Sequence, residues 1–367
     1  MTVTRRTAVA TILAAASLPA ATRRGEARSG RRVEEVLRLD RRPGNPALTA
    51  DGRLIFSMHP FDEPEFRLME RRADGSVAPF PDPATSRTGF ANVIGLRAAR
   101  NGLLWVLDLG GGGLPPKLVG IDLRRNAVGR VIVLGEGVTV PNSFLQDFAL
   151  DQRRGLAYVA DATLGTPVDP AIVVVDLRRG TARRVLQDHP SFLPEPGVLI
   201  RAEGRVARTR QLDGDVVPVR LALDPITIDP AYDWVYYGPS SGRTVYRVPA
   251  AALADADLPR AALARRVERY GSRPPCDGIS VDREGNVYVT DVGRNAIGVS
   301  NPRGYRVLAS DPRMVWPDGL AFGPDGMLYV TANQLNRSAQ LNAGQERGRP
   351  PYYIFRVRPL APSAIGR

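Results

Sequence analysis

The sequence contains one cysteine and two histidines among its 367 residues. Because Cys276 has no partner in the chain, an intrachain disulfide is excluded, and we predict that its thiol is buried by packing. The chain also lacks G-x-S-x-G, H-E-x-x-H, Walker and dinucleotide-binding motifs, so these patterns assign no catalytic residue. His189 is predicted to be a structural residue on a loop, which leaves His59 as the better candidate for a functional site.

Lysine is nearly absent, although the chain is strongly basic. Lys117 is the only lysine among 50 basic residues, and the formal net charge is +12 with a pI near 10.4. The arginines fall in scattered pairs such as Arg124-Arg125 and Arg178-Arg179, mostly where turns are expected. No recognition helix, RNA-binding aromatic strand or zinc-ligand spacing accompanies them. We therefore predict that they lie on solvated loops and that nucleic acid is not a partner.

No apolar run is long enough to cross a bilayer, which needs roughly 20 residues. The N-terminus nevertheless has the pattern of an export signal, because Arg5 and Arg6 precede an apolar stretch from Ala8 to Ala16 and small residues follow. We predict a signal peptide of the twin-arginine type over residues 1–30 and a single domain over residues 31–367. The mature protein is then expected to be secreted or periplasmic, without stable membrane insertion.

A segment that recurs along the chain indicates the architecture. The two clearest copies start at Asp277 and Asp318, 41 residues apart, and read DGISVDREGNVYVTDVG and DGLAFGPDGMLYVTAN. Each copy is a short alternating run, a turn rich in Gly, Asp and Asn, and a second alternating run, which is typical of a β-hairpin. Hairpins repeated at about 40 to 50 residues are the signature of a β-propeller.

Looser copies of the hairpin complete the count. The copies start at residues 45, 92, 147, 219, 277 and 318, which leaves no room for a seventh. We therefore predict an all-β fold, a six-bladed β-propeller, and expect a monomer. The strand-like segment 33–40 is predicted to supply the outer strand of the last blade beside residues 352–357, which closes the ring and removes its free edges.

Polar residues recur where the hairpins begin and end. The pairs are Asn45 and His59, Asn92 and Asp108, Asp147 and Asp161, Asp277 and Asp291, and Asp318 and Asn333. Both ends of a hairpin lie on the same face of a propeller, so these side chains are predicted to meet at one mouth of the channel and to bind a polar ligand there. The predicted ligand-binding residues are Asn92, Asp147, Asp277, Asp318, His59, Arg220 and Asn333. The alternative is that Asp and Asn satisfy backbone amides at strand ends.

The fourth blade departs from this pattern. If Leu221 corresponds to Ile279 of the fifth blade, Val219 and Arg220 stand where other blades have Asp or Asn. Clustered carboxylates repel one another unless a cation, a proton or an arginine compensates. We therefore expect an organic ligand with Arg220 as the local counter-charge, although an ion pair between Arg220 and a neighbouring blade is the alternative.

A long polar segment, residues 333–350, connects the last two strands of the sequence. It lacks strand periodicity, and connections of this length are often functional or mobile. The hairpin argument places it on the same face as Asp277 and Asp318. We predict that it covers part of the channel mouth.

Several segments resemble the major royal jelly protein/Yellow family in the family's order. They cover roughly residues 90 to 357 and include LLWVLDLGGGGLPPKLVGIDL, SFLQDFALD, AYVADATLGTPVDPAIVVVDL, HPS, LALDPITIDPAYDWVYYGPSSGRTVYRVP and YVTANQLNRSAQ. The resemblance implies a secreted six-bladed propeller that binds a small molecule, such as an aromatic amine or a quinone-like compound, at the channel mouth. It also implies a dopachrome-tautomerase-like activity without an assigned catalytic set. Insect members contain cysteine bridges, which this chain cannot form.

The calcium-dependent lactonases of the gluconolactonase type are the rival resemblance. Their metal-binding "PDG" element is similar to WPDG at Asp318 and PCDG at Asp277, whereas the first blade has Asn45 where a glutamate is expected. Under this alternative Asp147, Asp277 and Asp318 would be metal ligands and calcium the cofactor; otherwise no cofactor is expected. A propeller that binds a protein without catalysis is the third alternative, so whether the chain is an enzyme stays open.

Overall fold

The computed structural model describes Met1, residues 31–164 and residues 169–366. Six four-stranded antiparallel sheets form the blades of an all-β propeller, as predicted. Blade 1 consists of Pro43–Leu48, Leu54–Met58, Leu68–Arg71 and Val77–Pro79. Blade 2 consists of Val93–Ala98, Leu103–Asp108, Lys117–Asp122 and Ala127–Val133. Blade 3 consists of Leu145–Asp151, Leu156–Asp161, Ala171–Asp176 and Thr181–Val185. Blades 4 and 5 consist of Leu223–Ile228, Trp234–Pro239, Thr244–Pro249 and Glu268–Ser272; and Cys276–Val281, Val287–Asp291, Ala296–Asn301 and Gly304–Ser310.

Blade 6 joins the two ends of the chain. Its first three strands are Pro317–Phe322, Leu328–Ala332 and Tyr352–Val357, and its outer strand is Val33–Leu39. The outer strand runs antiparallel to the third, and Val33 pairs with Val357. The predicted ring closure is therefore confirmed, whereas the predicted signal peptide falls on residues outside those that the structure describes.

The core is divided among the blade interfaces. Six clusters of buried apolar side chains in the described residues each join two neighbouring blades around the ring. For example, Leu37 of blade 6 packs with Phe56 of blade 1, and Tyr236 of blade 4 packs with Ile279 of blade 5. Burial of apolar area contributes roughly 25 cal/mol per Å², so every blade is stabilised from both sides once the ring is closed.

Each innermost strand contains a β-bulge close to its start. In blade 5, Cys276 pairs with Asp291 and Ile279 with Val289, so Asp277 and Gly278 together oppose one residue of the second strand. The same shift occurs in the other five blades. A bulge re-aims the side chains that it carries. The ring thus presents six equivalent bulges at one end of the channel.

Additional elements lie in the connections. Two short ribbons, Arg201–Ala202 with Arg205–Val206 and Arg208–Arg210 with Val216–Pro218, precede blade 4. The α-helices are Pro83–Thr88, Ala250–Ala254 and Arg260–Ala264, and the 3₁₀ helices are Pro60–Asp62, Pro190–Phe192, Leu335–Arg337 and Ala339–Leu341. No helix within the described ranges is long and apolar enough to span a bilayer.

Candidate functional site

A cavity of about 1270 Å³ opens at the end of the channel where the inner strands begin. Ligand pockets typically enclose roughly 300–1000 Å³, so this one has room for a small organic molecule. The bulges contribute mainly polar side chains: Asn45, Gln146, Asp147, Asp224, Asp277 and Asp318. The connecting segments contribute mainly apolar ones, among them Phe61, Leu193, Val219, Leu221, Leu335 and Leu341. The cavity therefore combines an acidic end with apolar walls.

The bulges of blades 5 and 6 hold their aspartates by the same local device. A bulge leaves backbone N–H groups outside the regular ladder, and a buried N–H needs an acceptor. The hydroxyl of Thr290 accepts hydrogen bonds from the amides of Asp277 and Gly278, and the hydroxyl of Thr331 accepts one from Gly319. These hydrogen bonds fix the backbone of the repeated Asp-Gly pair, so that the aspartate side chain is directed into the channel.

Blade 4 also supplies an aspartate, which corrects the alignment expected from the sequence. Leu223 pairs with Pro239 and Ile226 with Tyr237, so Ile226, not Leu221, corresponds to Ile279. Asp224 then occupies the position of Asp277, and Val219 and Arg220 lie before the strand. Apolar residues alternate in either register, and only the pairing with the second strand decides between them.

Asp224 and Asp277 are in direct contact. The hydrogen bond between their carboxyl groups raises the pKa of Asp224 and opposes the rise in the pKa of Asp277. The hydroxyl of Ser240 donates to Asp224 at 2.6 Å, and the indole nitrogen of Trp316 donates to Asp277 at 2.5 Å. Burial raises the pKa of both carboxyls, and repulsion from Asp277 raises the pKa of Asp224 further. This part of the site is a buried carboxyl pair that binds protons more tightly than isolated carboxyl groups do.

Asp318 lies beside this pair without a cationic partner among the described residues. The amide of Asn333 donates to its carboxylate at 2.6 Å, and Asn333 is itself fully buried behind it. Desolvation raises the pKa of Asp318 well above its ordinary value, and the charge of Asp277 adds to that effect. Asn333 therefore holds the Asp318 carboxylate by a hydrogen bond from behind and does not itself line the cavity.

Asp147 differs because a buried arginine accompanies it. Arg97 donates to its carboxylate at 2.5 Å and is 4% exposed. Desolvation raises the pKa of Asp147, and the Arg97 guanidinium opposes that shift. The counter-charge at this mouth is thus Arg97, a residue that the sequence pattern did not single out because it lies inside a regular inner strand.

His59 lines the cavity as a neutral side chain. The backbone N–H of Phe61 donates to its Nδ1 atom at 3.2 Å, so the ring proton resides on Nε2. Burial, with a smaller contribution from the charge of Arg42, lowers the pKa of His59 to about 3. The imidazole can therefore donate one hydrogen bond to a ligand across the neutral pH range.

Three other candidates from the sequence, Arg220, Asn92 and Cys276, have different surroundings from those expected of ligand-binding or reactive groups. Arg220 is exposed at the rim, where it donates to the backbone carbonyls of Pro194 and Glu195. Asn92 is not among the cavity-lining residues, and its amide donates to the carbonyl of Gly110. Burial raises the pKa of Cys276 to about 12, so this thiol is a packing residue, as predicted.

Two connections cover the mouth. Leu335, Gln340 and Leu341 of the segment 333–350 line the cavity together with Asp277 and Asp318, as predicted. The ribbon Arg208–Arg210 with Val216–Pro218 lines the cavity next to this segment. The amide of Ala343 donates to the carbonyl of Arg208 at 2.8 Å, and the guanidinium of Arg337 binds the carboxylate of Glu203. We call the ribbons and segment 333–350 together the cover.

The family model of the major royal jelly proteins matches residues 91–352, more than half of the chain. The chain belongs to the major royal jelly protein family. No curated protein is a match. The family assignment agrees with the six-bladed fold and with the resemblance seen in the sequence.

Solved structures of other families share the fold of this royal jelly family member. A luciferin-regenerating enzyme is 15% identical with a TM-score of 0.51, over 92% of this chain and 98% of that chain. A putative gluconolactonase is 14% identical with a TM-score of 0.54, over 90% and 94%. A putative oxidoreductase (glucose dehydrogenase) from Thermus thermophilus is 16% identical with a TM-score of 0.55, over 89% and 100%. At such identities the likeness shows the fold alone.

The site differs in two respects from a ready-made cation cage. Within the described ranges, no group of three or more His, Cys, Asp or Glu side chains is arranged to hold a metal ion. Asp147, one of the predicted metal ligands, is bound by Arg97. Calcium prefers six to eight oxygen ligands, so these residues alone do not complete a calcium site.

Proposed function

We propose that this royal jelly family member binds a small organic cation with an apolar body, such as an aromatic amine, at the channel mouth. The observation that carries the proposal is the group of Asp224, Asp277 and Asp318, which lack a cationic partner in the described residues and face a cavity with apolar walls. A ligand ammonium would supply the missing positive charge. The apolar body would then contact the walls.

The electrostatic argument favours an amine over a neutral ligand. A buried carboxylate without a partner is costly, which is why burial raises the pKa of these groups. An ammonium within hydrogen-bonding distance offsets that cost, and Trp316 and Phe61 can add contact with the ligand's ring or its positive charge. A neutral ligand of the same shape would gain only the apolar contact.

The test compares 2-phenylethylamine with its uncharged N-acetyl derivative by isothermal titration calorimetry. We expect the amine to bind at least about tenfold more tightly, and Asp277→Asn to weaken its binding by about 1–3 kcal/mol. Asp188→Asn is the matched control, since Asp188 is an exposed carboxylate outside the cavity. Its φ of 56° lies in the left-handed region that both aspartate and asparagine adopt, so the substitution keeps the backbone conformation. Equal affinities for the two compounds would rule out the proposal.

The same carboxyl pair supports tautomerase-like turnover of a quinone-like ligand. When the pair holds one proton, Asp277 can accept a proton from a carbon next to a carbonyl while Asp224 donates its own proton to the carbonyl oxygen. One C–H bond breaks and one O–H bond forms, without an oxidant or reductant. Deuterium exchange into a bound keto compound, followed by NMR, would report this proton transfer; a ligand that binds without exchange would identify a binding protein.

Calcium-assisted lactone hydrolysis is the second candidate, favoured by the contact between Asp224 and Asp277 because hard cations prefer carboxylate oxygens. The donor set is incomplete in the described residues, so we derive no step through the metal. A thermal-shift titration with calcium and a chelator separates the candidates, since a ligand that binds the native state raises the melting temperature. Stabilisation by calcium together with lactone hydrolysis would favour this candidate over amine binding.

A further inference from the structure

Three consecutive blades carry an arginine pair at the turn between their third and fourth strands. The pairs are Arg71-Arg72 in blade 1, Arg124-Arg125 in blade 2 and Arg178-Arg179 in blade 3, and all six residues are exposed. The corresponding connection in blade 4 is longer: it contains two helices and then Arg265-Arg266, which are also exposed, whereas the connection in blade 5 contains Arg303 alone. The repetition at one structural position separates these arginines from the general arginine richness of the chain.

These turns lie on the face opposite the cavity. Each inner strand begins at the mouth and runs away from it, the second strand returns, and the third runs away again. The turns between the first and second strands, which include Arg100 and Arg153, therefore share this far face with the arginine pairs. We call this set of turns in blades 1 to 3 the arginine face.

Hydrogen bonds between blades join these turns into one surface. Arg53 of blade 1 donates to the carbonyl of Leu123 in blade 2 at 2.9 Å. Arg130 of blade 2 donates to the carbonyl of Arg178 in blade 3 at 2.5 Å. The turns of three blades are thus in contact across both interfaces, and the arginine pairs belong to one continuous patch.

The paired arginines make few direct ion pairs, although Asp74, Asp122 and Asp176 lie in or beside the same turns. Five of the six paired arginines make no ion pair in the described residues; the exception is Arg179, which lies 3.6 Å from Asp176 with its side chain 83% exposed. Asp122 and Asp176 accept hydrogen bonds from the backbone amides of the arginine pairs, which lowers the pKa of both carboxyls. These aspartates fix the shape of the turns. The guanidinium of Arg178 also donates to the carbonyl of Arg154 at 3.4 Å, but all six arginines remain exposed to solvent and accessible to a partner.

We infer that the arginine face docks on the anionic surface of a lipid bilayer. Guanidinium groups at turn tips can bind phosphate groups by paired N–H donors. Their distribution over three blades forms a broad surface and not a single strip, which suits a planar array of headgroups. Basic residues close to an anionic membrane are attracted to it, and salt screens this attraction.

The experiment measures co-sedimentation of the full-length chain with vesicles of phosphatidylglycerol and phosphatidylcholine, and with vesicles of phosphatidylcholine alone. The face variant replaces all six paired arginines by glutamine. The control variant carries the same number of Arg→Gln changes at exposed positions outside the arginine face: Arg41, Arg205, Arg243, Arg306, Arg347 and Arg349. Both variants keep residues 1–30 and have the same net charge, so neither feature can explain a difference between them.

We expect the unmodified chain to bind only the anionic vesicles, more weakly as salt is added. The face variant should lose about a hundredfold or more in partitioning, and the control variant less than about threefold. Equal losses in both variants, binding to neutral vesicles, or binding to soluble heparin or DNA without binding to vesicles would each overturn the inference. Amine binding in the cavity, at the opposite end of the channel, should be unchanged in the face variant. A failure of this inference can therefore be told apart from a failure of the proposed function.

Discussion

At the scale of single residues, the carboxyl pair at the channel mouth links stability to binding. Asp224 is 3% exposed and yet has another carboxyl as its neighbour. A carboxyl whose pKa is raised by folding binds its proton more tightly in the native state than in the unfolded one. Its ionisation therefore lowers the free energy of unfolding as pH rises above the ordinary value near 3.8, and the effect is complete above the raised native pKa.

This linkage gives Asp224→Asn an unusual expected outcome. The amide can still accept from Ser240 and can donate to Asp277, and it carries no charge to be desolvated. Every tenfold increase in the proton affinity of Asp224 on folding costs about 1.4 kcal/mol of stability at neutral pH, and we expect the ligand-free variant to regain that amount. Near pH 4 its stability should match that of the unmodified chain. Urea unfolding between pH 4 and 8 measures the difference.

The same substitution should weaken amine binding, because the ligand loses a partner of its ammonium group. Asp188→Asn serves as the control, with no pH-dependent difference from the unmodified chain. A destabilisation by Asp224→Asn that is the same at every pH would show that packing around Ser240, and not charge, decides the effect.

At the scale of elements, the cover depends on contacts between two segments that are far apart in sequence. The side chain of Glu203, in the turn of one ribbon, binds both Asn336 and Arg337 of segment 333–350. The hydrogen bond donated by Arg337 is the main cause that lowers the pKa of Glu203, and the hydrogen bond from Asn336 and the charge of Arg337 add to it. The contribution of the pair to stability is thus present above the ordinary pKa of glutamate and is lost as pH falls through the lowered value.

We predict that Glu203→Gln loosens the cover without unfolding the propeller. A partly exposed ion pair contributes about 1 kcal/mol or less, so amide exchange at Ala343, whose N–H binds the carbonyl of Arg208, should accelerate by up to about fivefold. Hydrogen exchange with mass spectrometry on peptides from segment 333–350 provides the measurement.

Glu268→Gln is the matched control for the cover, because it removes a comparable ion pair with Arg247 in the outer half of blade 4. Exchange in segment 333–350 should be unaffected by it. If both variants change that exchange equally, or if neither does, the Glu203 contact is not what ties the cover together.

Part of the site could be predicted at this scale and part could not. Asp277 and Asp318 were found because an aspartate-glycine pair repeats at the start of two hairpins and the bulge gives both the same orientation. Asp224 was missed because proline follows it in place of glycine and the strand can be aligned in two registers. Arg97 and the ribbons were missed because their positions depend on contacts between blades.

At the scale of the whole molecule, hairpin repetition was sufficient to predict the architecture. Alternating apolar residues and turns are signals that can be read locally in the sequence. Once six hairpin copies are found, a closed ring is the arrangement that buries both sides of every blade. The N-terminal strand followed from the same reasoning, because the last blade otherwise had an unpaired edge at Tyr352–Val357.

We predict that weakening the closing strand lowers the stability of the entire ring. Leu37 is 8% exposed and packs between blades 6 and 1, so Leu37→Ala should lower the free energy of unfolding by about 2–5 kcal/mol. Val131→Ala, at a half-exposed position in the outer strand of blade 2, should change it by less than about 0.5 kcal/mol.

Denaturant unfolding followed by tryptophan fluorescence and by circular dichroism measures both variants. Coincident transitions are expected, because the blades share their interfaces all round the ring. If Leu37→Ala gives a separate early transition that involves only part of the signal, blade 6 opens independently and the ring does not unfold as a unit.

The pairing of Val33–Leu39 with Tyr352–Val357 also sets the order in which the molecule can be completed during translation. The strand that emerges from the ribosome early has no partner until the strand near the end of the chain has emerged as well. A nascent chain that stops before Tyr352 keeps two open sheet edges, which chaperones and proteases can recognise. The connectivity of blade 6 therefore allows chaperones and proteases to distinguish a truncated chain from one that has closed the ring.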